Sequence, residues 1–232
     1  MTKTILITGT SRGIGRAIAI QLLSEGYQVI GLSRTQSIEH DNYTHYQIDL
    51  ADLSTLPDRL KTLNLTIDGL ICNAGIWHYS NFEELSYADI EQMVHLNLLS
   101  PLFLVKAFLP QMKQKRSGDI FFLGSESGLK GAPKQSVYSA SKSALRAFAQ
   151  SLRSESATKN IRVTMINPGS VKTDMLEIAP FSLSEDSLHH ILPEDIAQLI
   201  SYLLKARTGT VLDEITLSPQ KHRLEKKKET TL

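Results

Sequence analysis

The sequence predicts an α/β fold, namely one doubly wound parallel sheet of seven strands with helices on both faces. Strand-like and helix-like stretches alternate along all 232 residues, and such alternation is typical of parallel strands joined by crossover helices. The length suits one large domain with a well-buried core. We therefore expect a single domain over residues 1–218, followed by a charged, flexible tail over residues 219–232.

The elements follow from the local pattern of apolar residues and from the residues that interrupt it. The seven predicted strands are Thr4–Thr8, Gln28–Ser33, Thr44–Ile48, Gly69–Cys72, Ile120–Gly124, Arg162–Asn167 and Val211–Leu217. The predicted helices are Ile14–Ser24, Ser54–Leu63, Tyr87–Lys115, Ser136–Lys159 and Glu194–Lys205. Pro193 marks the start of the last helix, since proline is favoured in a first helical turn.

Composition places the chain among soluble globular proteins, because 41% of its residues are hydrophobic and 21% are charged, as in ordinary folded domains. No apolar run approaches the roughly 20 residues of a membrane-spanning helix, so no membrane partner is expected. The first three residues lead directly into the first strand, which argues against a signal or transit peptide. We therefore expect a cytoplasmic protein.

The charge of the chain is unevenly distributed. The formal net charge is +1, yet the stretch 219–232 holds five basic and two acidic residues, so this stretch carries +3 and the remainder about −2. Residues 1–218 thus carry a slightly negative net charge, which does not favour binding to the polyanionic backbone of a nucleic acid. We interpret the tail as a solubilising end, with a partner-binding tail as the alternative.

Neither metal nor thiol chemistry is expected. Cys72 is the only cysteine, which excludes an intramolecular disulfide and thiol-rich metal sites. Its position after an apolar run favours a buried, inert thiol. His189 and His190 are adjacent, but no carboxylate or thiol cluster accompanies them, so we interpret the pair as loop surface and not as a metal site.

A glycine-rich turn joins the first strand to the first helix. Its sequence is TGTSRGIG, with glycines at Gly9, Gly13 and Gly15. Glycines let the backbone turn tightly and approach a pyrophosphate, and the helix N-terminus supplies N–H groups and a positive dipole. The spacing differs from both G-x-G-x-x-G and the lysine-bearing P-loop. The position after a strand and before a helix favours nucleotide binding.

The end of the second strand indicates which dinucleotide is preferred. An acidic side chain there would bond a ribose 2′-hydroxyl, but the sequence has Ser33 and Arg34. Arg34, together with Arg12 of the glycine loop, could hold a 2′-phosphate through charge-assisted hydrogen bonds. This favours NADP(H), the alternative being two ordinary surface arginines. Asp49, at the end of the third strand, could accept from an adenine amine.

The helix predicted from Ser136 carries the candidate acid. Tyr138 and Lys142 are four residues apart, so they project from the same helix face. A phenol has a reference pKa near 10, and a nearby ammonium would lower that value towards neutrality. Tyr138 is therefore a candidate proton donor, with the Lys142 ammonium as the charge that lowers its pKa. The alternative is a surface tyrosine beside a solvated lysine.

Together these motifs resemble the short-chain dehydrogenase/reductase superfamily, in its compact single-domain branch with a TGxxxGxG glycine loop and a Rossmann-like fold. The resemblance runs from about Thr4 to Leu217. It implies a catalytic set of Asn97, Ser125, Tyr138 and Lys142, with Asn97 perturbing the long helix and holding a water in a proton relay. Ser125 would hydrogen-bond the substrate oxygen. The alternatives are that Ser125 satisfies local backbone groups and that Asn97 only bonds its neighbours.

The resemblance also implies a set of residues around the cofactor. Asn73, Ala74 and Gly75 match the family's Asn-Ala-Gly after the fourth strand, and Pro168 and Gly169 match its Pro-Gly after the sixth. The expected cofactor-binding residues are Gly9, Ser11, Arg12, Gly13, Ile14, Gly15, Arg34, Asp49, Leu50, Asn73, Ala74, Gly75, Tyr138, Lys142, Pro168, Gly169, Val171 and Thr173.

The activity implied is NADPH-dependent reduction of a small aldehyde or ketone, with Tyr138 giving the proton. The open alternatives are an NAD-dependent alcohol dehydrogenase working in the oxidative direction, a sensor or scaffold that binds NADPH without turnover, and a sugar-nucleotide epimerase or dehydratase. A partly apolar substrate pocket is expected from Trp77, His78, Leu129, Met175, Phe181, His189 and His190.

The assembly expected is a homodimer. The last strand runs into Glu214-Ile-Thr-Leu-Ser-Pro219 where relatives often have Asp-Gly-Gly, which puts a tetramer in doubt. Small residues allow helices to approach closely. On the helix from Ser136 they are Ser139, Ala140, Ser143, Ala144 and Ala147.

Overall fold

Seven parallel strands form one sheet in the computed structural model, which describes residues 2–222 and 224–226. In chain order the strands are β1 Thr4–Thr8, β2 Gln28–Ser33, β3 Tyr43–Gln47, β4 Gly69–Cys72, β5 Gly118–Leu123, β6 Ile161–Pro168, β7 Phe181–Leu183, β8 Glu214–Leu217 and β9 Leu224–Lys226. The sheet has the order β3-β2-β1-β4-β5-β6-β8, and every pair in it is parallel. The predicted doubly wound α/β fold is confirmed.

Helices cover both faces of this sheet. They are α1 Gly13–Ser24, α2 Leu56–Leu63, α3 Tyr87–Val94, α4 Ser100–Lys115, α5 Ser136–Ser156 and α6 Pro193–Lys205. Side chains alternate along each strand, so Leu6 packs in the apolar layer beneath α2, α4 and α5 while Ile5 and Ile7 pack beneath α1 and α6. This double burial explains why the strands are almost wholly apolar in sequence.

The strand order places a crevice between β1 and β4. The chain winds outwards from β1 to β3 on one side and from β4 to β8 on the other, so the loops leaving the carboxyl ends of β1 and β4 diverge. Ligands of open α/β sheets bind at such a switch point. Gly9, Asn73 and Ser125 all follow carboxyl ends of strands, which brings the predicted site residues to one edge of the sheet.

The long helix predicted over Tyr87–Lys115 is interrupted. A π-helical turn, His95–Leu99, separates α3 from α4. By length and composition alone this stretch could cross a membrane, which differs from the expectation that no run in the chain would do so. In the fold α4 buries Leu104, Phe108 and Met112 in the apolar layer beside the sheet, so its apolar composition is that of a core helix.

The predicted flexible tail contains a strand. β9 pairs antiparallel with β7, in register Phe181↔Lys226 and Leu183↔Leu224, as a sheet separate from the central one. The difference arises because backbone groups of Leu224–Lys226 find partners on β7, a non-local contact that tail composition does not reveal. Residues 223 and 227–232 of that tail lie outside the described residues.

Candidate active site

The glycine loop lies directly against the loop that follows β4. Gly9 and Gly13 have φ values of +73° and +55°, which favour glycine. A Cβ on Gly15 would lie 2.3 Å from the Gly9 carbonyl oxygen and 2.4 Å from Asn73 Nδ2, so no other residue fits there. The surface above this loop is therefore bare backbone at the start of α1, which has no acidic residue in its first turn. This suits the anionic pyrophosphate of a dinucleotide.

Asn73 and Ala74 tie the end of β4 to the end of β1. Asn73 Nδ2 donates to the Thr8 carbonyl oxygen at 2.9 Å, and the backbone N–H groups of Asn73 and Ala74 donate to Thr8 Oγ1 at 2.9 and 3.0 Å. Sequence reasoning did not single out Thr8. These bonds fix the width of the crevice between the two strands.

A buried network of hydroxyl groups lies at the end of β2. Ser33 Oγ donates to the Thr35 carbonyl oxygen at 2.9 Å and lies 3.0 Å from His45 Nε2 and 3.3 Å from Thr10 Oγ1. Thr10 Oγ1 in turn lies 2.8 Å from the Tyr43 hydroxyl. The Ser33 hydroxyl is thus engaged within the protein, while the neighbouring Arg34 is exposed. Thr10, Tyr43 and His45 were missed from sequence, although Tyr43 and His45 share one face of β3.

Arg12 points towards a different part of the site. Its Nη1 lies 3.5 Å from Asp174 Oδ2, with both side chains more than half exposed. A Cβ on Gly13 would lie 3.3 Å from Thr173 Cγ2. Thr173 and the glycine loop therefore form two sides of one cradle, and Arg12 bridges them.

The loop after β6 is held in place through its backbone. Gly169 N donates to the Leu217 carbonyl oxygen at 2.8 Å, and Val171, which is buried, bridges to Ile191. A Cβ on Gly169 would lie 2.6 Å from Glu126 Oε2, so this glycine lets the loop approach the segment that follows Ser125. Pro168 is buried at the end of β6.

The remaining cofactor candidates differ in what they can offer. Asp49 is exposed, and its Oδ1 accepts from Ala51 N at 2.9 Å. Leu50 is buried in the core, so any contact it makes with a ligand comes from its backbone. Ser11 and Ile14 are half-buried in the glycine loop and the first turn of α1.

Asn97 lies in the π-helical turn and is fully buried. Its Oδ1 accepts from Ile76 N at 2.8 Å, and its Nδ2 donates to the Ile76 carbonyl oxygen at 2.9 Å and to Ser141 Oγ at 3.2 Å. The wide turn releases the regular helical bonds, and the side chain joins the loop after β4 to α5. A Cβ on Gly75 would lie 3.1 Å from Asn97 Oδ1 and 3.5 Å from Lys142 Nζ, so both groups flank Gly75.

Tyr138 and Lys142 are both buried on the inner face of α5. Lys142 Nζ donates to the Leu123 carbonyl oxygen at 2.8 Å and lies 5.8 Å from the centroid of the Tyr138 ring. Ser125 Oγ accepts from Ser127 N at 3.1 Å, which orients the loop after β5. Strand β5 and helix α5 thus bring the predicted catalytic side chains together.

Burial decides the electrostatics of this group. It raises the pKa of Tyr138, and the neighbouring Ser125 hydroxyl partly lowers it. Burial also lowers the pKa of Lys142 to about 8. The hypothesis that Lys142 lowers the Tyr138 pKa is therefore not supported, because removal from water outweighs other influences on the phenol. A protonated phenol suits proton donation, and an amine with a pKa near neutrality suits proton relay.

An aromatic cluster adjoins Tyr138. Trp77 and Tyr138 belong to one buried apolar group, and Phe181 packs against it. The ring centroids of Trp77 and Tyr79 are 5.5 Å apart, those of Trp77 and Phe181 6.3 Å, and those of Tyr79 and Phe181 5.3 Å. We call Trp77, Tyr79 and Phe181 the aromatic wall. Tyr79 was not among the sequence candidates.

The other predicted pocket residues are more scattered. His78 Nδ1 lies 3.9 Å from Asp89 Oδ1, and Leu129 and Met175 are exposed. His189 and His190 are buried rather than on the loop surface as predicted, with His190 Nδ1 3.1 Å from the Ser184 carbonyl oxygen. The described residues include no cluster of three potential metal ligands.

Cys72 fits the expectation of an inert thiol. It is buried at the end of β4, and burial raises the pKa of its thiol. A thiol that stays protonated is a poor nucleophile.

Comparison with known proteins agrees with this fold. Residues 3–180 match the family model of the short chain dehydrogenases. Carbonyl reductase family member 4 of Xenopus laevis is 33% identical over 230 residues, covering 91% of this chain and 96% of the relative. The fold and the match define an oxidoreductase that uses a nicotinamide dinucleotide. The chain belongs to the short-chain dehydrogenase/reductase superfamily.

Solved structures give the same fold with different cofactors. An alcohol dehydrogenase from the archaeon Thermococcus sibiricus, complexed with 5-hydroxy-NADP, superposes with a TM-score of 0.85 at 25% identity, covering 96% of this chain and 99% of that one. A 4-hydroxyisoleucine dehydrogenase complexed with NADH superposes with a TM-score of 0.82 at 26% identity, covering 94% and 98%. Fold similarity therefore supports a nicotinamide cofactor without distinguishing the two forms.

The lowered pKa of Lys142 implies that the free energy of unfolding depends on pH. Between pH 8 and the ordinary lysine pKa of 10.5, the unfolded chain holds a proton that the folded chain has released, so the free energy of unfolding rises with pH. Lys142→Met lacks this contribution. We expect the wild type to gain up to roughly 3 kcal/mol relative to the variant between pH 7 and pH 10.5, measured by urea denaturation. A difference between the two proteins that is independent of pH would contradict the assignment.

Proposed function

We propose that this protein is an NADPH-dependent reductase that converts a small aldehyde or ketone to the alcohol. The observation that carries the proposal is the buried Tyr138, whose pKa is raised, beside Ser125 and Lys142. The phenol keeps its proton through the neutral range and can give it to the strongly basic alkoxide oxygen that hydride transfer creates on the substrate. The glycine loop, whose close approach to Asn73 leaves no space for a Cβ at Gly15, fits the pyrophosphate of the cofactor.

NADPH, when bound, supplies the hydride for the carbonyl carbon. The Ser125 and Tyr138 hydroxyls hydrogen-bond the substrate oxygen and stabilise the negative charge that develops there. Tyr138 then donates its proton to that oxygen. Lys142, with a pKa of about 8, returns a proton to the phenol. Asn97, held rigid by Ile76 and Ser141, positions the loop that runs beside Lys142.

Preference for NADP(H) is proposed on the residues after β2. The Ser33 hydroxyl is engaged by Thr10, Thr35 and His45, and the next side chain is the exposed Arg34. A guanidinium binds a phosphate through charge-assisted hydrogen bonds. Because Arg12 pairs with Asp174, Arg34 is proposed as the main partner of the 2′-phosphate.

A second candidate is oxidation of an alcohol with NAD. The similarity to a 4-hydroxyisoleucine dehydrogenase complexed with NADH favours this alternative. Tyr138 would then act as the base, which its raised pKa disfavours near neutral pH. Because the exposed Arg34 favours NADP(H), reduction with NADPH is the activity that we propose first.

A cytoplasmic location and a small-molecule substrate complete the proposal. The single cysteine, Cys72, is a free and buried thiol, which suits a reducing compartment. The acidic charge of residues 1–218 gives no support for nucleic acid as a partner.

We also propose that the protein is a homodimer. A groove of about 390 Å³ is lined by Phe82, Val94, Leu98, Ser136, Val137, Ala140, Ser141 and Ala144. Of the small residues singled out in the sequence, Ala140, Ser143, Ala144 and Ala147 are exposed, whereas Ser139 is buried and faces inwards. An apolar face of this kind suits a symmetric contact with a second copy of the same helix.

The variant Tyr138→Phe tests whether Tyr138 is the proton donor in the proposed reduction. We expect turnover to fall by two to four orders of magnitude, roughly the contribution of a general acid, while the Kd for NADPH stays unchanged. NADPH oxidation would be followed over a panel of aldehydes, ketones and quinones. Tyr202→Phe is the matched control, because Tyr202 is exposed on α6. Full activity of Tyr138→Phe would refute the role.

Arg34→Ser tests cofactor preference. Loss of a charge-assisted contact with the 2′-phosphate is expected to raise the Kd for NADPH by roughly tenfold to a hundredfold and to leave the Kd for NADH unchanged. Arg12→Ser is expected to have a smaller effect because Asp174 already pairs with this guanidinium. Fluorescence titration measures both constants. Equal weakening of NADPH and NADH by Arg34→Ser would contradict the assignment.

Ala140→Glu tests the dimer. Sedimentation of the wild type is expected to give about twice the chain mass of 25.8 kDa, and the variant is expected to sediment as a monomer because a carboxylate would be buried in an apolar contact. A wild-type monomer at high concentration would exclude the dimer.

A further inference from the structure

The C-terminal segment, defined here as residues 218–222 and 224–226, contacts three positions in succession: the loop after β5, the turn 187–189 and strand β7. Ser218 Oγ donates to the carboxylate of Glu126, the residue after Ser125. Lys221 N donates to the Leu188 carbonyl oxygen at 2.9 Å. β9 then pairs with β7. These contacts join the C-terminal segment to the loop after β5 and to the stretch between β6 and α6.

β7 carries one member of the aromatic wall. The Phe181 ring lies edge-on to Tyr79, with an interplanar angle of 89°, and its centroid is 6.3 Å from that of Trp77. Both Phe181 and Trp77 pack in the group that contains Tyr138. The wall therefore stands beside the phenol that gives the proton.

The position of β7 depends on β9. Within the described part of the chain, β9 is the only strand with which β7 pairs. A strand of three residues has little stability of its own, and the flanking turns of 174–178 and 187–189 are short 3₁₀ segments. Ala179 is buried in the same group, and His190 Nδ1 lies 3.1 Å from the carbonyl oxygen of Ser184, directly after β7. The pairing with β9 adds the strand partner that these contacts do not supply to the segment carrying Phe181.

We infer that the C-terminal segment is a specificity-determining part of the substrate site, which it completes by holding Phe181 in the aromatic wall. The substrate class that fits is a carbonyl compound bearing an apolar, planar substituent, since aromatic rings pack best against such groups. The inference rests on the proposed reductase function, because it assigns one wall of that same site.

The test compares two truncations. Ending the chain after His222 removes β9, whereas ending it after Lys226 keeps β9 and removes only residues 227–232. The first truncation is expected to loosen the aromatic wall, and the second is its matched control. Circular dichroism and the Kd for NADPH are expected to be the same in both, since β9 pairs only with β7 among the described strands and belongs to a sheet separate from the central one.

Trp77 gives a readout that does not need activity. It is the only tryptophan of the chain and is 94% buried in the cluster, being 6% exposed. Truncation after His222 is expected to shift its emission to longer wavelength and to increase acrylamide quenching at least twofold. Emission and quenching identical to those of the control would overturn the inference, whether or not a substrate has been found.

Kinetics tests the specificity. With a phenyl-substituted ketone the KM is expected to rise about tenfold on truncation after His222, with kcat changed little. With a short aliphatic aldehyde the KM is expected to stay the same, because such a substrate does not reach the wall. An equal rise for both substrates, or no rise for either, would overturn the inference. Absence of turnover by the full-length protein would instead count against the proposed function.

Two further variants guard against a truncated chain that does not fold. The first is the full-length double variant Leu224→Pro/Glu225→Pro. The backbone N–H groups of neighbouring residues in a strand point alternately towards and away from its partner strand, and proline has no N–H. The double variant therefore removes a hydrogen bond between β9 and β7 whichever of the two residues donates it. Its Trp77 emission is expected to match that of the truncation after His222. Phe181→Ala is expected to raise the same KM, and adding it to the truncation should cause no further rise. Additive effects would show that the segment acts other than through Phe181.

Discussion

The hydrogen bonds between Thr8 and the Asn73–Ala74 backbone are the constraint on which the rest of the site depends. Thr8 Oγ1 accepts from two backbone N–H groups of the β4 loop, and Asn73 Nδ2 reaches back to the carbonyl oxygen of Thr8. They join two strands whose following loops must diverge for a ligand to enter. Gly15 has to be a glycine because Gly9 and Asn73 occupy the space of its Cβ. A fixed crevice and a bare backbone surface are therefore consequences of the same contacts.

Asn97 connects that crevice to the candidate catalytic side chains on α5. The π-helical turn places an amide side chain where it can bond both polar backbone groups of Ile76 and also Ser141 on α5. A regular helix from Tyr87 to Lys115 would present that position differently, since a π turn adds a residue to the helical repeat. The interruption thus connects the loop after β4 to the helix that carries Tyr138 and Lys142. Local irregularity here serves the geometry of the site.

Burial changes the pKa values of the two ionisable side chains in this arrangement, Tyr138 and Lys142. Tyr138 and Lys142 are shifted in opposite directions, the phenol pKa upwards and the amine pKa to about 8, because removal from water disfavours the charged form of each. Starting from ordinary values of 10.0 for the phenol and 10.5 for the amine, the two pKa values therefore cross and move apart. The result is a neutral phenol next to an amine that can exchange a proton near neutral pH.

Sequence by itself determined the seven strands of the central sheet and their alternation with helices, the glycines of the first loop, and the shared helix face of Tyr138 and Lys142. These features are local, so periodicity and spacing suffice to predict them. Tertiary structure alone decided the sign of the Tyr138 pKa shift, the pairing of Arg12 with Asp174 and the antiparallel pairing of β9 with β7. Each depends on groups far apart in the chain, and burial or proximity of that kind exists only once the sheet and its loops have come together.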